Sequence, residues 1–431
     1  MVDYEETFSP VADIRAIRIL ISIAAYYDYE IWKMDVKTAF LNGFLDEDIY
    51  MVQPEGFVDP NHPRKVCKLK RSIYGLKQAS RSWNKRFDGE IKRFGFTQNL
   101  DEPCVYQKAS GSNVTFLILY VDDIIIMGNH IPSLQSVKEY IGRCFAMKDL
   151  GEAAFILGIK IYRDRSKRLI GLSQNAYMDK ILKRYRMDNP KRGNIPMQER
   201  LDLNKTQGAT TPGEVKRMQN VPYASACSIN VVSTDLGEPH WTAVKNILKY
   251  LRNTKDMFLV YGENPEAELR VDCYCDAGFE TDRDDIKSQT GYVFVLNGGA
   301  VDWKSSKQST TAMSAIEAEY IAASEAAMEA IWIRKFISGL GIVPTINEPI
   351  KMYCDNSVAL LISNEPGVQK GARHYHKRYH YVCECIELGE IDLLKVYTDD
   401  NLADPFTKAL PRGKLTQHDR GMGLRLASSF M

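Results

Sequence analysis

Two aspartates stand side by side at Asp122-Asp123, with an apolar run on either side. Phosphoryl transfer assisted by two metal ions needs carboxylates that converge from different strands and hold the cations over the attacking and leaving oxygens. An apolar hairpin would push this pair out at its tip, in Tyr120-Val121-Asp122-Asp123. Turns favour aspartate for their own backbone geometry, so the pair alone also reads as turn chemistry. A third candidate, Asp35, closes the strand-like Ile31-Trp32-Lys33-Met34-Asp35 before the tight Ala39-Phe40-Leu41-Asn42-Gly43 turn. Four more acids lie in separate elements: Asp276, Glu319 (with Glu317 as its nearest rival), Asp355 and Asp404. Each of these taken singly is what a solvated surface supplies. His376 and His380 have the spacing of two zinc ligands on a helix. With Arg373, His374, Lys377 and Arg378 around them, they also form a basic cluster.

The elements that must position these residues follow from periodicity. Residues 15–27 have helical spacing, 29–36 read as a strand, and 79–94 place Trp83, Phe87, Ile91 and Phe94 on one helical face. Residues 114–121 and 124–127 are the two arms of the hairpin, and 133–145 and 176–185 are helices. Between 188 and 222 the composition turns polar, with Pro190, Pro196 and Pro212, and predicts a linker. Residues 240–252 form a helix. Residues 269–275, with Asp276 at the strand's end, then 290–297 and 300–303 alternate as three strands of an antiparallel sheet. An alanine-rich helix over 315–337 carries Glu319, and a strand over 350–354 ends at Asp355.

The chain has 431 residues, 45% of them hydrophobic and 26% charged, which suits two or three globular domains. No apolar run is long enough to span a bilayer. The opening Met1-Val2-Asp3-Tyr4-Glu5-Glu6 is too acidic for a signal peptide, so an intracellular location is expected, in a cytoplasmic particle or the nucleus. Nine cysteines without a Cys-x-x-Cys pair read as free thiols. The net charge of +1 names no partner, but basic stretches over 64–93 and 160–192 suggest tracks for phosphate.

The motifs then add up to a resemblance. Residues 34–43 (MDVKTAFLNG), 72–83 (SIYGLKQASRSW) and the YVDD of 120–123 resemble motifs A, B and C of copia-type retrotransposon reverse transcriptases. The DYEETFSPVADIRAIRIL before them, KDLGEAAFILGIKI after them, and YVFVLNGGAVDWKSSKQSTTAMS farther on are similar to the same family, so the likeness covers nearly the whole chain. It implies RNA-directed DNA polymerase and RNase H activity within a Pol polyprotein. The fold it implies is an α+β polymerase palm and thumb unit followed by an RNase H-like α/β domain. Residues 1–187 would be the reverse transcriptase with incomplete fingers, 188–261 a linker and shortened connection, and 262–431 the RNase H-like domain. Asp35 and Asp122 would ligate Mg²⁺, or Mn²⁺, with Asp123 completing the cluster. Phe40 would be the steric gate that excludes a 2′-hydroxyl, Gln78 would lie near the nascent base pair, Tyr120 would touch substrate, and Leu157 and Gly158 would hold the primer end. Asp276, Glu319, Asp355 and Asp404 would be the metal-binding set of the RNase H site. The implied partners are an RNA template, a DNA primer, an RNA–DNA hybrid and dNTP, and no membrane.

The sequence also departs from the family. It starts inside the domain, without the basic fingers residues that meet the triphosphate, and is short between residues 226 and 237. Ile316 stands where threonine is usual, and Cys383 where arginine is usual. These departures predict weak primer extension by the isolated chain. They keep open a catalytically degenerate relic that binds nucleic acid without polymerising.

Overall fold

The computed structural model describes residues 8–187, 193–198, 203–219, 237–262, 267–282, 284–357, 360 and 376–430. The chain divides into two compact units, one of residues up to 20 with 27–153, the other of residues 21–26 with 154–431. Helix α1 (Ile14–Tyr26) contributes to both.

The elements of the first unit follow in order as β1 (Glu30–Val36), β2 (Tyr50–Val52), β3 (Val66–Lys68), α2 (Ala79–Arg93), β4 (Thr97–Gln98), β5 (Val105–Ser110), β6 (Asn113–Tyr120), β7 (Asp123–Gly128), α3 (Ile131–Cys144) and β8 (Met147–Glu152). Six strands form one antiparallel sheet in the order β4-β5-β6-β7-β1-β8, and β2 pairs with β3. Period-two alternation decides what each strand buries. Met34 and Val36 of β1, Leu117 and Leu119 of β6, and Ile124 and Ile126 of β7 join Trp83, Phe87 and Ile91 of α2 and Leu134, Val137 and Ile141 of α3 in one core. Lys33 and Asp35, the alternate residues of β1, therefore face away from these helices. β6 and β7 are buried along nearly their whole length, which is why they read as continuous apolar runs.

The second unit holds two five-stranded sheets. The first is antiparallel. It joins β9 (Phe155–Ile156), β10 (Ile159–Asp164), β11 (Leu169–Ser173), β12 (Met257–Tyr261) and β18 (Leu424–Leu426) in the order β18-β12-β11-β10-β9. Helices α4 (Asn175–Arg184), α5 (Pro212–Gln219) and α6 (Glu238–Thr254) lie between β11 and β12 in sequence, and Leu182 and Tyr185 pack on Val244 and Leu248. The second sheet contains β13 (Val271–Asp282), β14 (Lys287–Leu296), β15 (Gly299–Lys307), β16 (Ile350–Cys354) and β17 (Ile391–Lys395) in the order β15-β14-β13-β16-β17. Its first three strands are antiparallel, and β16 and β17 run parallel to β13. Helix α7 (Ala315–Leu340) packs on β13 and β14 on one side and on the helix His376–Glu387 on the other. Covered on both sides, it buries Ala318, Ala322, Ala323, Ala326, Ala327 and Ala330 and needs no polar face along its first half. This is the α+β unit and mixed α/β sheet flanked by helices that the resemblance implies.

Three expectations need correction. β13 does not end at Asp276 but runs on to Asp282, because its antiparallel pairing with β14 continues past the last parallel partner on β16. The stretch expected to be a linker contains helix α5, where Glu214 accepts from Thr210 and Thr211 and caps the first turn. Strand β12 has no counterpart among the expected elements. It pairs on both edges, and Gly423, at positive φ, lets the backbone before β18 approach it so closely that a Cβ would meet Val260 O at 2.8 Å. Residues 188–192, 199–202 and 220–236, with the shortened connection, lie outside the described residues.

Candidate active site

In the first unit the hairpin of β6 and β7 closes from Tyr120 to Asp123 through Val121 and Asp122. Val121 has φ +58, an uncomfortable conformation for a β-branched residue, and glycine is the usual occupant of such a turn position. Trp83 fixes this turn from below. It is 1% exposed, stacks edge-on against Phe145 with centroids 5.0 Å apart, and donates from Nε1 to Val121 O at 2.7 Å. Asp35 lies directly opposite Asp123 across β1 and β7. Val36 N donates to Asp122 O at 2.9 Å, so Asp35 and Asp123 form a non-hydrogen-bonded pair, the kind in which side chains come closest. The Lys33 ammonium lies 2.8 Å from Asp123 Oδ2. Among the described residues, the three carboxylates do not gather as tightly as the acids of the second unit.

The other candidates are spread over several elements. Phe40 is half-buried in a 3-10 turn, its ring 4.9 Å from that of Tyr74. Gln78 is buried at the start of α2, and Tyr120 ends β6. Leu157 and Gly158, both at positive φ, form the two-residue turn from β9 to β10 in the second unit. Within the basic stretch over 64–93, Lys68 pairs with Asp48 at 2.7 Å, Arg86 with Glu90 at 2.6 Å and Lys92 with Asp88 at 2.8 Å. Part of that charge is therefore neutralised locally.

In the second unit four acids from four elements converge. Cys275 and Cys354 face each other across the parallel strands β13 and β16, so the next residues, Asp276 and Asp355, emerge at the same level. Glu319 projects from the first turns of α7, and Asp404 opens the 3-10 turn Asp404–Phe406. Asp276, Asp355 and Asp404 have carboxylate oxygens within 4.8 Å of one another, as do Glu319, Cys354 and Asp355 in their ligand atoms. Glu317 serves the helix terminus instead. Ser314 Oγ accepts from Glu317 N at 3.3 Å, and Glu317 Oε2 accepts from Met313 N at 2.6 Å, which caps α7.

The loop that brings Asp404 is pinned to the sheet. Asn401, fully buried, donates from Nδ2 to Cys275 O at 2.9 Å, and Ser305 Oγ donates to Phe406 O at 2.6 Å. Gly291, paired with Asp276 across β13 and β14, leaves room for this loop, since a Cβ there would meet Thr407 Cγ2 at 2.6 Å. Thr407 Oγ1 donates to Asp276 Oδ2. Lys408 Nζ lies 2.9 Å from Asp404 Oδ1 and 3.3 Å from Asp276 Oδ1.

Burial pushes the Asp276 carboxyl up to about 6, and Lys408 and Thr407 only partly offset it. Burial, then the charges of Asp276, Cys354 and Asp355, push Glu319 up to about 10. Asp404 is raised by burial against the pull of Lys408. Burial would lower Lys408, but Asp276 and Asp404 outweigh it and hold the ammonium above its usual range. Glu319 Oε2 and Asp276 Oδ1 are buried and accept no hydrogen bond. Carboxylate oxygens of Asp276, Asp355 and Asp404 within 4.8 Å of one another fit a hard divalent cation, which takes oxygen ligands and offsets their repulsion. Lys408→Met should therefore lower the metal-free melting temperature, by an amount equivalent to about 1–3 kcal/mol given the partial exposure of Lys408. Millimolar Mn²⁺ should recover most of that loss, and an equal deficit with and without Mn²⁺ would refute the charge-balancing role.

The histidine segment offers less. His374 lies outside the described residues, as does the side chain of His376. His380 belongs to neither metal-ligand group found among the described residues. Arg378 turns inward to Glu325 at 3.0 Å. The eight described cysteines are free thiols. Among the described residues no helix is long and apolar enough to cross a membrane.

Residues 1–199 match the family model described as reverse transcriptase (RNA-dependent DNA polymerase). The chain is 40% identical to the retrovirus-related Pol polyprotein from transposon TNT 1-94 of Nicotiana tabacum, over 96% of this chain and 32% of that one, so it spans about a third of that relative's length. It is 33% identical to the putative transposon Ty5-1 protein YCL074W of Saccharomyces cerevisiae, over 69% of this chain and all (100%) of that protein. A solved foamy viral protease-reverse transcriptase in complex with dsDNA aligns at a TM-score of 0.47 and 12% identity, over 92% of this chain and 72% of that one. With its motifs and these relatives, the chain belongs to the reverse transcriptase family of copia-type retrotransposon Pol proteins.

Proposed function

We propose that the chain copies RNA into DNA and cuts the RNA strand of the resulting hybrid, each by two-metal phosphoryl transfer. The observation that carries this reading is the convergence of Asp276, Glu319, Asp355 and Asp404 from four elements onto one end of a mixed sheet. Residues 262–431 would supply the nuclease and 1–187 the polymerase. When bound, Mg²⁺ or Mn²⁺ would activate a water and stabilise the departing 3′-oxygen. Asp276, Asp355, Asp404 and Glu319 would hold the cations, with Thr407 orienting the Asp276 carboxylate. In the first unit, Asp35 and Asp122 would hold cations and Asp123 would complete the charge. Trp83 would keep the turn in place. Phe40, Gln78 and Tyr120 would meet dNTP and the new base pair, and Leu157 and Gly158 the primer end.

The test offers the full chain an RNA–DNA hybrid, an RNA duplex, and a DNA primer on an RNA template with dNTP, in Mg²⁺ or Mn²⁺. Metal-dependent cleavage of the hybrid alone is expected. Absence of hybrid cleavage under both metals would overturn the nuclease assignment. Nucleotide incorporation should vanish in Asp122→Asn, and incorporation that survives it would overturn the polymerase assignment.

A further inference from the structure

The acid cluster of the second unit contains one donor that a hard cation does not use. Cys354 is fully buried at the end of β16, and its Sγ lies with a carboxylate oxygen of Glu319 and one of Asp355 inside a 4.8 Å span. That is the spacing of ligand atoms around a single ion. Glu319 is 9% exposed, and its Oε2 accepts no hydrogen bond. The three side chains come from two elements fixed independently. α7 is locked by its cap and its alanine-lined contact with the sheet, and β16 by parallel pairing on both edges. Cys354 Sγ also accepts from Asn356 N at 3.5 Å, which holds the sulfur near the strand end.

We propose that Glu319, Cys354 and Asp355 form a binding site for one soft or borderline divalent cation, of the class of zinc or cadmium, and that its occupation excludes the hard cations of the nuclease site. Thiolate sulfur selects zinc and cadmium over magnesium, whereas a carboxylate-only cage does not. Binding forms a metal–sulfur bond and releases the thiol proton to solvent, with no change of oxidation state. Glu319 and Asp355 serve both sites, so the two cations compete. The binding claim rests on the geometry alone. The inhibitory claim rests also on the nuclease reading above.

The test titrates the full chain with Cd²⁺ and follows the ultraviolet charge-transfer band that a cadmium–thiolate bond produces. The chain has other cysteines, so the readout is the difference between unsubstituted protein and Cys354→Ser, with Cys275→Ser as a neighbouring control. Cys354→Ser should bind about one ion fewer per chain and lose the corresponding absorbance, and Cys275→Ser should keep both. Glu319→Gln, which retains the thiol, should weaken binding about tenfold or more. Circular dichroism checks each fold, and if Cys354→Ser does not fold, the Glu319→Gln titration decides. Equal cadmium binding by unsubstituted protein and a folded Cys354→Ser, or by a folded Glu319→Gln, overturns the site. In the hybrid cleavage assay, Zn²⁺ added over Mg²⁺ should inhibit the unsubstituted chain more strongly than Cys354→Ser. Equal inhibition overturns the competition, whereas failure to cleave under Mg²⁺ alone counts against the nuclease reading and leaves the cadmium result to decide the site.

Discussion

Asp276→Asn is expected to reduce hybrid cleavage by about a hundredfold or more, the scale on which preorganised electrostatic groups act on a developing charge. The same substitution should make the metal-free protein at least as stable as before, because it removes a charge from a fully buried position among other carboxylates. In the unsubstituted chain, Mn²⁺ at about a hundred times its dissociation constant should add about 2.7 kcal/mol of stability, and Asp276→Asn should lose most of that gain. The sign of the pH dependence follows from the raised values. Glu319 titrates near 10 and Asp276 near 6 in the folded chain, both above the usual carboxylate range. As pH rises, the unfolded chain therefore gives up its protons before the folded one does. The contribution of these two groups to metal-free stability is fully present below the unfolded values and declines as pH rises, from 3.8 to about 6 for Asp276 and from 4.5 to about 10 for Glu319. Added Mn²⁺ should flatten that decline. Thermal melts of both proteins across this range, with chelator and with Mn²⁺, measure every part of this. Identical melts with and without metal would remove the carboxylate set as a cation site.

Trp83→Ala should be the most damaging single change in the first unit, costing about 3–5 kcal/mol through the cavity it leaves. The side chain is 1% exposed and packs on both Phe87 and Phe145. Trp83→Phe separates packing from hydrogen bonding. It keeps an aromatic ring but leaves the Val121 carbonyl without the indole donor, and should cost about 1–2 kcal/mol. Freed from that anchor, the strained turn at Val121 should relax and move the adjacent Asp122 and Asp123. Primer extension should therefore fall further in Trp83→Phe than the loss of stability accounts for. Denaturant melts beside extension rates check this, and a variant that keeps full extension while losing stability would reduce Trp83 to a packing residue.

How much is legible in the sequence varies with the kind of signal. Strands β6 and β7 are readable because two continuous apolar runs flank a turn-forming pair, and helix α2 because its apolar residues recur at helical spacing. The acids are readable only as a set within a resemblance, because Asp276, Glu319, Asp355 and Asp404 are far apart in sequence and each alone is ordinary. Parallel registration of Cys275 with Cys354 brings two of them level, and no local pattern announces such pairing. Lys408 gains its meaning only in the structure, though its spacing of four from Asp404 and its position after Thr407 are signals the sequence carries. Asn401 reads in sequence as no more than a neighbour of Asp404, and its bond to the Cys275 carbonyl needs coordinates. Trp83 reads as a core residue, which it is, but its indole N–H has a second duty. β12 and β18 escape a sequence reading because each is short and takes its order from partners distant in the chain.

Those two strands set an order of events for folding. The sheet β18-β12-β11-β10-β9 draws its pieces from before and after the mixed sheet, so the chain must close very large loops before the small sheet is complete. The backbone around Gly423 then lies against both Val260 and the turn from β14 to β15, fastening the two sheets of this unit together there. A fragment beginning at residue 262 would lack β12, leave β18 without its partner, and expose a fresh strand edge that invites association. Limited proteolysis should therefore find the strands of the small sheet resistant together. Refolding should show residues 155–173 gaining amide protection together with residues 424–426 rather than ahead of them.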